Sequence, residues 1–128
     1  MKNQFERFFE IINKSIEYDP WVKDTGMEGY CNELKKEIDE VLEAIKKKDM
    51  KNLEEELGDV LYVWAHACKL AEQKGIFKTE EVINGAMEKL NRRKPYLEQG
   101  KKVTREEALT IWKEVKQKEK MAKAIMNK

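Results

Sequence analysis

The sequence predicts an all-α fold, an antiparallel bundle of about five helices. Three observations carry that expectation. The 128 residues favour Glu, Lys, Leu, Ala and Met and include two prolines and six glycines, which is helical usage. Apolar residues recur every three or four positions along several segments, the period of a helix with one buried face. No segment alternates apolar and polar residues with the period of two that a half-buried strand needs. Hydrophobic residues make up 41% and charged residues 40% of the chain. That is enough apolar material for a real core, so one domain spanning 1–128 is expected and disorder is excluded.

The elements follow in order. Phe5, Phe8, Phe9, Ile12 and Ile16 have helical spacing and give an amphipathic N-terminal helix within 1–18. The run YDPWVKDTG breaks it, because Pro20 disfavours helix in the residue before it and Gly26 adds freedom. A second helix is expected from about Met27 to Lys48, with Leu34, Ile38, Val41, Leu42 and Ile45 as its core stripe. KKDMKN is a short polar turn. A third helix, from about Leu53 to Lys74, points Leu57, Val60, Leu61, Trp64, Ala67, Cys68 and Ala71 inward and stops at Gly75. The short turn makes these two long helices antiparallel. A fourth, basic helix opens at Thr79 and ends near Lys94, ahead of Pro95. The stretch 19–97 thus holds the acid-rich core helices and the basic helix. After the loop LEQGKK, Thr104 and Glu107 form a capping-box pattern for a last helix that runs into a basic tail, 104–128. Phe5 and Trp64 are assigned to the core.

Composition excludes several function classes. A net charge of +1 speaks against a general DNA, RNA or membrane-surface binder, which would carry a large basic excess on one face. No apolar run approaches the roughly 20 residues of a membrane span. The opening MKNQFERFFE has charges inside its apolar pattern, unlike a secretory signal. A cytoplasmic protein is expected, with Cys31 and Cys68 as two buried free thiols.

The chemistry lies in a pattern written twice. Residues 34–42 read LKKEIDEVL and residues 53–61 read LEEELGDVL. On a helical wheel with Leu34 as its origin, Ile38, Val41 and Ile45 fall between about −20° and about +40°, Glu37 at about −60° and Glu40 at about −120°. With Leu53 as the origin, Glu56 falls at about −60° and Asp59 at about −120°. Both helices therefore carry an acid pair on the same flank of the aliphatic stripe, and antiparallel packing lets four carboxylates converge. Without a cation they repel and raise one another's pKa. Glu37, Glu40, Glu56 and Asp59 are the candidate metal ligands, and an all-oxygen set suits Mg²⁺, with Mn²⁺ as a substitute. Gly58 is expected to keep the groove between the acids open. Glu33, at about −100°, is a candidate outer partner or a solvated flank residue. A di-iron bundle would need Glu-x-x-His, but Val63 stands three before the single histidine, His66. His66 itself is expected to be solvated or to sit behind the ligands.

These residues resemble the MazG family of nucleoside triphosphate pyrophosphohydrolases. The family signature has two Glu, two spacers and Glu, then, after a variable gap, Glu, two spacers and Asp. Glu37, Glu40, Glu56 and Asp59 match four of its five acids; Lys36 stands where the first Glu usually is. By the wheel, Lys36 points about 200° from Leu34, away from Glu37. DPWVKD at 19–24 is similar to the family's Pro-Trp-Asp-Lys stretch. EKLNRRKPYL at 88–97 resembles its Lys-Leu-x-Arg-Arg-His-Pro segment, with Lys94 and Tyr96 replacing common histidines. EEALTIWKEVK at 106–116 resembles a Trp-containing C-terminal helix.

The resemblance implies an all-α, Mg²⁺-dependent enzyme that cleaves a nucleoside triphosphate to a monophosphate and diphosphate, often a non-canonical nucleotide. It implies a homodimer or homotetramer, with dimerisation completing the active site. Glu37 becomes the candidate catalytic base. Lys89 and Arg93 share a helix face and match phosphate-contacting positions; Lys116 is a third candidate phosphate ligand. Trp21 and Trp112, with Phe8 or Phe9, are candidates for the base pocket. Arg92 points elsewhere and reads as a surface charge. Relatives specific for dUTP or dCTP, phosphoribosyl-ATP pyrophosphohydrolases and a non-catalytic helical module binding nucleotide or a partner protein remain alternatives. Base and sugar preference are not legible.

Overall fold

Two aspartates decide where helical stretches begin. A computed structural model describes residues 1–127; Lys128, the end of the expected basic tail, lies outside them. Helix α1 (Lys2–Tyr18) stops at Asp19, whose backbone is extended. The next element, α2 (Pro20–Lys46), joins a short helical stretch from Pro20 to the long helix that begins, as expected, at Met27, with a kink at Gly26 between them. Pro20 opens a helix here instead of ending one. The Asp19 carboxylate accepts a hydrogen bond from the Trp21 N–H at 3.0 Å, and a proline in the first turn lacks only a donor that has no helical partner anyway. The expected break sits at Gly26, with φ 70° and ψ 173°, a conformation essentially confined to glycine.

The turn after α2 is shorter than KKDMKN suggested. Lys48 takes a positive φ of 56°, and Asp49 accepts from the Asn52 N–H at 3.2 Å. That cap starts α3 (Met50–Gln73) three residues before Leu53. The two long helices form an antiparallel hairpin. Gly75, φ 73°, closes α3 as expected. The Glu72 carboxylate then accepts from the Thr79 N–H at 2.9 Å, supplying a cap for the next helix.

The chain divides into two compact units, Met1–Thr79 and Glu80–Lys128. In the first, α1, α2 and α3 pack around Ile12, Ile16, Val22, Ala65 and Leu70, with Phe8, Phe9, Met27, Tyr30 and Trp64 against them. Trp64 meets expectation; Phe5 is exposed. The predicted aliphatic stripe is buried only in part. Val41 is buried, but Ile38, Leu42, Ile45, Leu57 and Leu61 are exposed. The buried line of α2 is Val41 and Ala44, and that of α3 includes Val63. On the same wheels Val41 lies at about −20°, while Ala44 and Val63 both lie at about −80°. Cys68 and Ala71, at about 60° and about 0° on the α3 wheel, are buried as expected. Cys68 is buried but Cys31 is exposed, against the expectation of two buried thiols.

The second unit contains α4 (Thr79–Arg93) beyond its first residue, a 3₁₀ turn (Pro95–Leu97) and α5 (Arg105–Met126). The capping box is present: Thr104 Oγ1 accepts from the Glu107 N–H at 3.1 Å, and Glu107 accepts from the Thr104 N–H at 3.4 Å. Both helices carry acids in the first turn and bases in the last, which complements their dipoles. Among the described residues there is no strand, and no helix is long and apolar enough to cross a membrane.

Gly26→Ala puts a Cβ into a glycine-only conformation. It is expected to lower unfolding free energy by about 1–3 kcal/mol in urea denaturation, although no atom lies within 4 Å of that Cβ.

Candidate functional site

Three acids of the α2–α3 hairpin come together. One carboxylate oxygen from each of Glu37, Glu56 and Asp59 lies within 4.8 Å of the other two. All three residues are half-buried. Glu40 is half-buried as well but is not one of the three; its carboxylate presses on Glu56. Glu33 and Lys36 are exposed. Gly58 is exposed too, and a Cβ there would meet nothing within 4 Å, so crowding of the groove does not explain that glycine.

Burial and like charge act on the same atoms. Glu37 Oε2 and Glu56 Oε2 are buried without a hydrogen-bond partner. An acceptor oxygen without a partner is unfavourable, more so when charged. The Glu40 carboxylate pushes the Glu56 carboxyl up to about 7, helped by burial and by Glu37. Burial is the main cause that raises Glu37, with Glu40 and Asp59 adding repulsion. Two unpartnered oxygens within an all-oxygen set fit a hard divalent cation, which would supply the missing positive charge.

His66 takes no part in that set and is not solvated, as one reading of the sequence had it. It is buried, and both ring nitrogens are engaged: Nε2 with Ser15 Oγ at 2.9 Å and Nδ1 with the Tyr62 carbonyl oxygen at 2.7 Å. Tyr30 and Tyr62, which sequence reasoning did not single out, pack against its ring. Spacing could have found Tyr62, one helical turn beyond Asp59; nothing local pointed to Ser15.

The basic candidates belong to the second unit. A cavity of about 650 Å³ is lined by Lys89, Arg93 and Trp112 over apolar Val82, Ala86 and Leu90. Lys116 Nζ lies 4.6 Å from the centre of the Trp112 ring, a cation–π contact. Arg93 donates from Nη2 and Nε to Glu119 at 3.1 and 3.3 Å. One edge of its guanidinium is therefore already engaged. Arg92 is exposed, as expected of a surface charge, and its Nε also donates to Glu119, at 3.2 Å. Arg93 and then Arg92 hold the Glu119 carboxyl down at about 2. Trp21, in the first unit, is 72% exposed and Trp112 37%. Phe8 and Phe9 pack against the core of the first unit.

Residues 26–98 match the family model described as MazG nucleotide pyrophosphohydrolase domain. The segment starts at the Gly26 break and holds all four acids, Lys89 and Arg93. The chain is 38% identical over 121 residues to an uncharacterized protein, YabN, of Bacillus subtilis, covering 92% of this chain and 25% of that one. It is 28% identical over 126 residues to a nucleoside triphosphate pyrophosphohydrolase of Escherichia coli K12, covering 95% of this chain and 48% of the relative. It therefore spans about half the length, or less, of these curated relatives. The crystal structure of a mazG-related protein from Thermotoga maritima superposes with a TM-score of 0.82 at 40% identity, over 88% of this chain and 98% of the other.

Glu56 binds its proton more tightly folded than unfolded. The stability this contributes is complete below about 4.5 and is lost as pH rises through about 7. In chelator, the melting temperature is expected to fall between pH 5 and pH 8, with the fall reduced when Mg²⁺ is added. Glu56→Gln, which removes one of the opposed charges, is expected to flatten that slope in thermal melts.

Proposed function

The chain belongs to the MazG nucleotide pyrophosphohydrolase family, and from that premise we propose that it is a Mg²⁺-dependent hydrolase of phosphoric anhydrides. It converts a nucleoside triphosphate and water to a nucleoside monophosphate and diphosphate, and serves to clear non-canonical nucleotides. Mn²⁺ can replace Mg²⁺. The observation that carries this reading is the convergence of Glu37, Glu56 and Asp59 with two buried, unpartnered oxygens.

When bound, the cation neutralises charge on the polyphosphate and lowers the pKa of a coordinated water. The chain's own residues do the rest. Glu40, Glu56 and Asp59 would hold the cation. Glu37 shares in that grip and takes the proton of the attacking water through whichever of its oxygens is left free. Lys89 and Arg93 bind the leaving diphosphate, Arg93 through the guanidinium edge that Glu119 leaves open. Lys116 is a further phosphate ligand. Trp112, at the apolar cavity, and exposed Trp21 offer rings for stacking the base.

The same reading includes a homodimer or a dimer of such dimers, which completes the active site. Ile38, Leu42, Ile45, Leu57 and Leu61 are exposed along the two long helices. Apolar side chains at that density on one hairpin suit burial against a second copy.

Diphosphate release from a panel of nucleoside triphosphates in Mg²⁺ tests the activity. At least one is expected to turn over, and Glu56→Gln or Asp59→Asn to reduce turnover to background with helicity unchanged in circular dichroism. Full activity in the double variant would contradict the assignment. Turnover of dUTP or dCTP alone, or of phosphoribosyl-ATP, would narrow the substrate. No turnover with metal bound would favour a nucleotide-binding module. In sedimentation, Leu42→Lys with Leu57→Lys is expected to convert dimer to monomer.

A further inference from the structure

The first unit contains a buried polar knot that the proposed reaction does not use. The His66 Nδ1–H donates to the Tyr62 carbonyl oxygen at 2.7 Å. That fixes the tautomer and makes Nε2 the acceptor for the Ser15 hydroxyl, 2.9 Å away. Tyr30 stacks flat on the imidazole, centroids 4.8 Å apart at 12°. Tyr62 meets it edge-on, at 5.9 Å and 84°. Three helices contribute: Ser15 from α1, Tyr30 from α2, Tyr62 and His66 from α3. A ring clamped at both nitrogens and against two aromatic side chains is a rigid support, and what it supports is a pair of phenols.

Of the two phenols, Tyr62 neighbours the acids. Tyr62 follows Asp59 by one helical turn on α3 and is 39% exposed, so its ring is accessible from solvent. Partial burial, with Asp59, Glu37, Glu33 and Glu56 acting on its hydroxyl, keeps it protonated. Tyr30 faces Asp19, Tyr62 and Glu33 instead. The acid seam itself offers only acceptors once its carboxyls are ionised. A polyphosphate drawn to a cation there brings further acceptors and needs donors. Neither phenol makes a hydrogen bond within the described residues.

We propose that Tyr62 is a substrate-contacting residue whose hydroxyl donates a hydrogen bond to a non-bridging oxygen of the polyphosphate, and that Ser15 and His66 are positioning residues that fix its ring. This rests on the hydrolase reading above and adds to it a donor from the acid-rich helix hairpin. The donor role belongs to the hydroxyl alone, so phenylalanine at 62 removes it while keeping the packing against His66.

The test compares wild type with Tyr62→Phe, using the triphosphate turned over fastest in the panel, its α,β-methylene analogue, and Mn²⁺ alone. A hydrogen bond to a charged oxygen is worth about a 10- to 100-fold loss of kcat/KM when removed. The same variant is expected to bind the analogue more weakly and to bind Mn²⁺ within about 2-fold of wild type. Ser15→Ala is expected to give a smaller loss of the same kind, restored by Ser15→Thr. Wild-type kcat/KM and analogue affinity in Tyr62→Phe, with Glu56→Gln inactive, would overturn this inference and leave the hydrolase reading standing. A parallel loss of Mn²⁺ affinity would also overturn it, because Tyr62 would then act on the acids. Absence of turnover and of analogue binding in wild type would remove the hydrolase reading and this inference together.

Discussion

Carboxylates occupy a helix–helix seam where aliphatic side chains would normally sit. That placement sets the terms for the rest of the first unit. Two long helices joined by a three-residue turn can bury a seam in one register only, and Asp49 fixes where the second helix starts. The register sets Glu37 against Glu56 and Asp59. Glu37, Glu40, Glu56 and Asp59 are half-buried there, while Ile38, Leu42, Ile45, Leu57 and Leu61 are exposed. Burial raises Glu37, and Glu40 raises Glu56. Without a cation the seam is a local defect, held in place by the core that α1 builds with the other two helices. A binding site of this kind gives up stability in the empty state and recovers it from its ligand.

The two units divide the charge between them. Acids are in excess in residues 1–79 and bases in residues 80–128. The net charge of +1 hides that asymmetry. It weighs against a polyanion-coating protein, yet it is silent on a locally basic groove. In the second unit, Glu119 offsets Arg92 and Arg93, which orders two guanidinium groups and limits their field. Lys89 lines the cavity with Trp112, and Lys116 sits over the Trp112 ring.

The helices and the acid pairs were legible because both are local. Spacing of three within LKKEIDEVL and LEEELGDVL fixes Glu37, Glu40, Glu56 and Asp59 on one flank, and the Thr104 cap needs only Glu107 nearby. Burial along the stripe was legible only in part. Val41, Cys68 and Ala71 are buried, but Ile38, Leu42, Leu57 and Leu61 are exposed, because a wheel ranks directions by apolarity and does not say what packs against each. The break over YDPWVKDTG is present at both its ends, at Asp19 and at Gly26, but the short helical stretch that Asp19 and Pro20 open between them was not read, because the same pair can end one helix and cap the next. The Ser15–His66 bond joins residues 51 apart, and the pairing of Arg92 and Arg93 with Glu119 spans 26 or 27. No periodicity in a single sequence encodes such distances.

The central claim is that Glu37, Glu56 and Asp59 form a divalent-cation centre. Diffraction from crystals soaked in Mn²⁺, recorded at the manganese absorption edge, tests it most directly. The account predicts one anomalous peak within bonding distance of oxygens from all three residues. Manganese bound elsewhere on the chain, with no peak between these carboxylates, would contradict it.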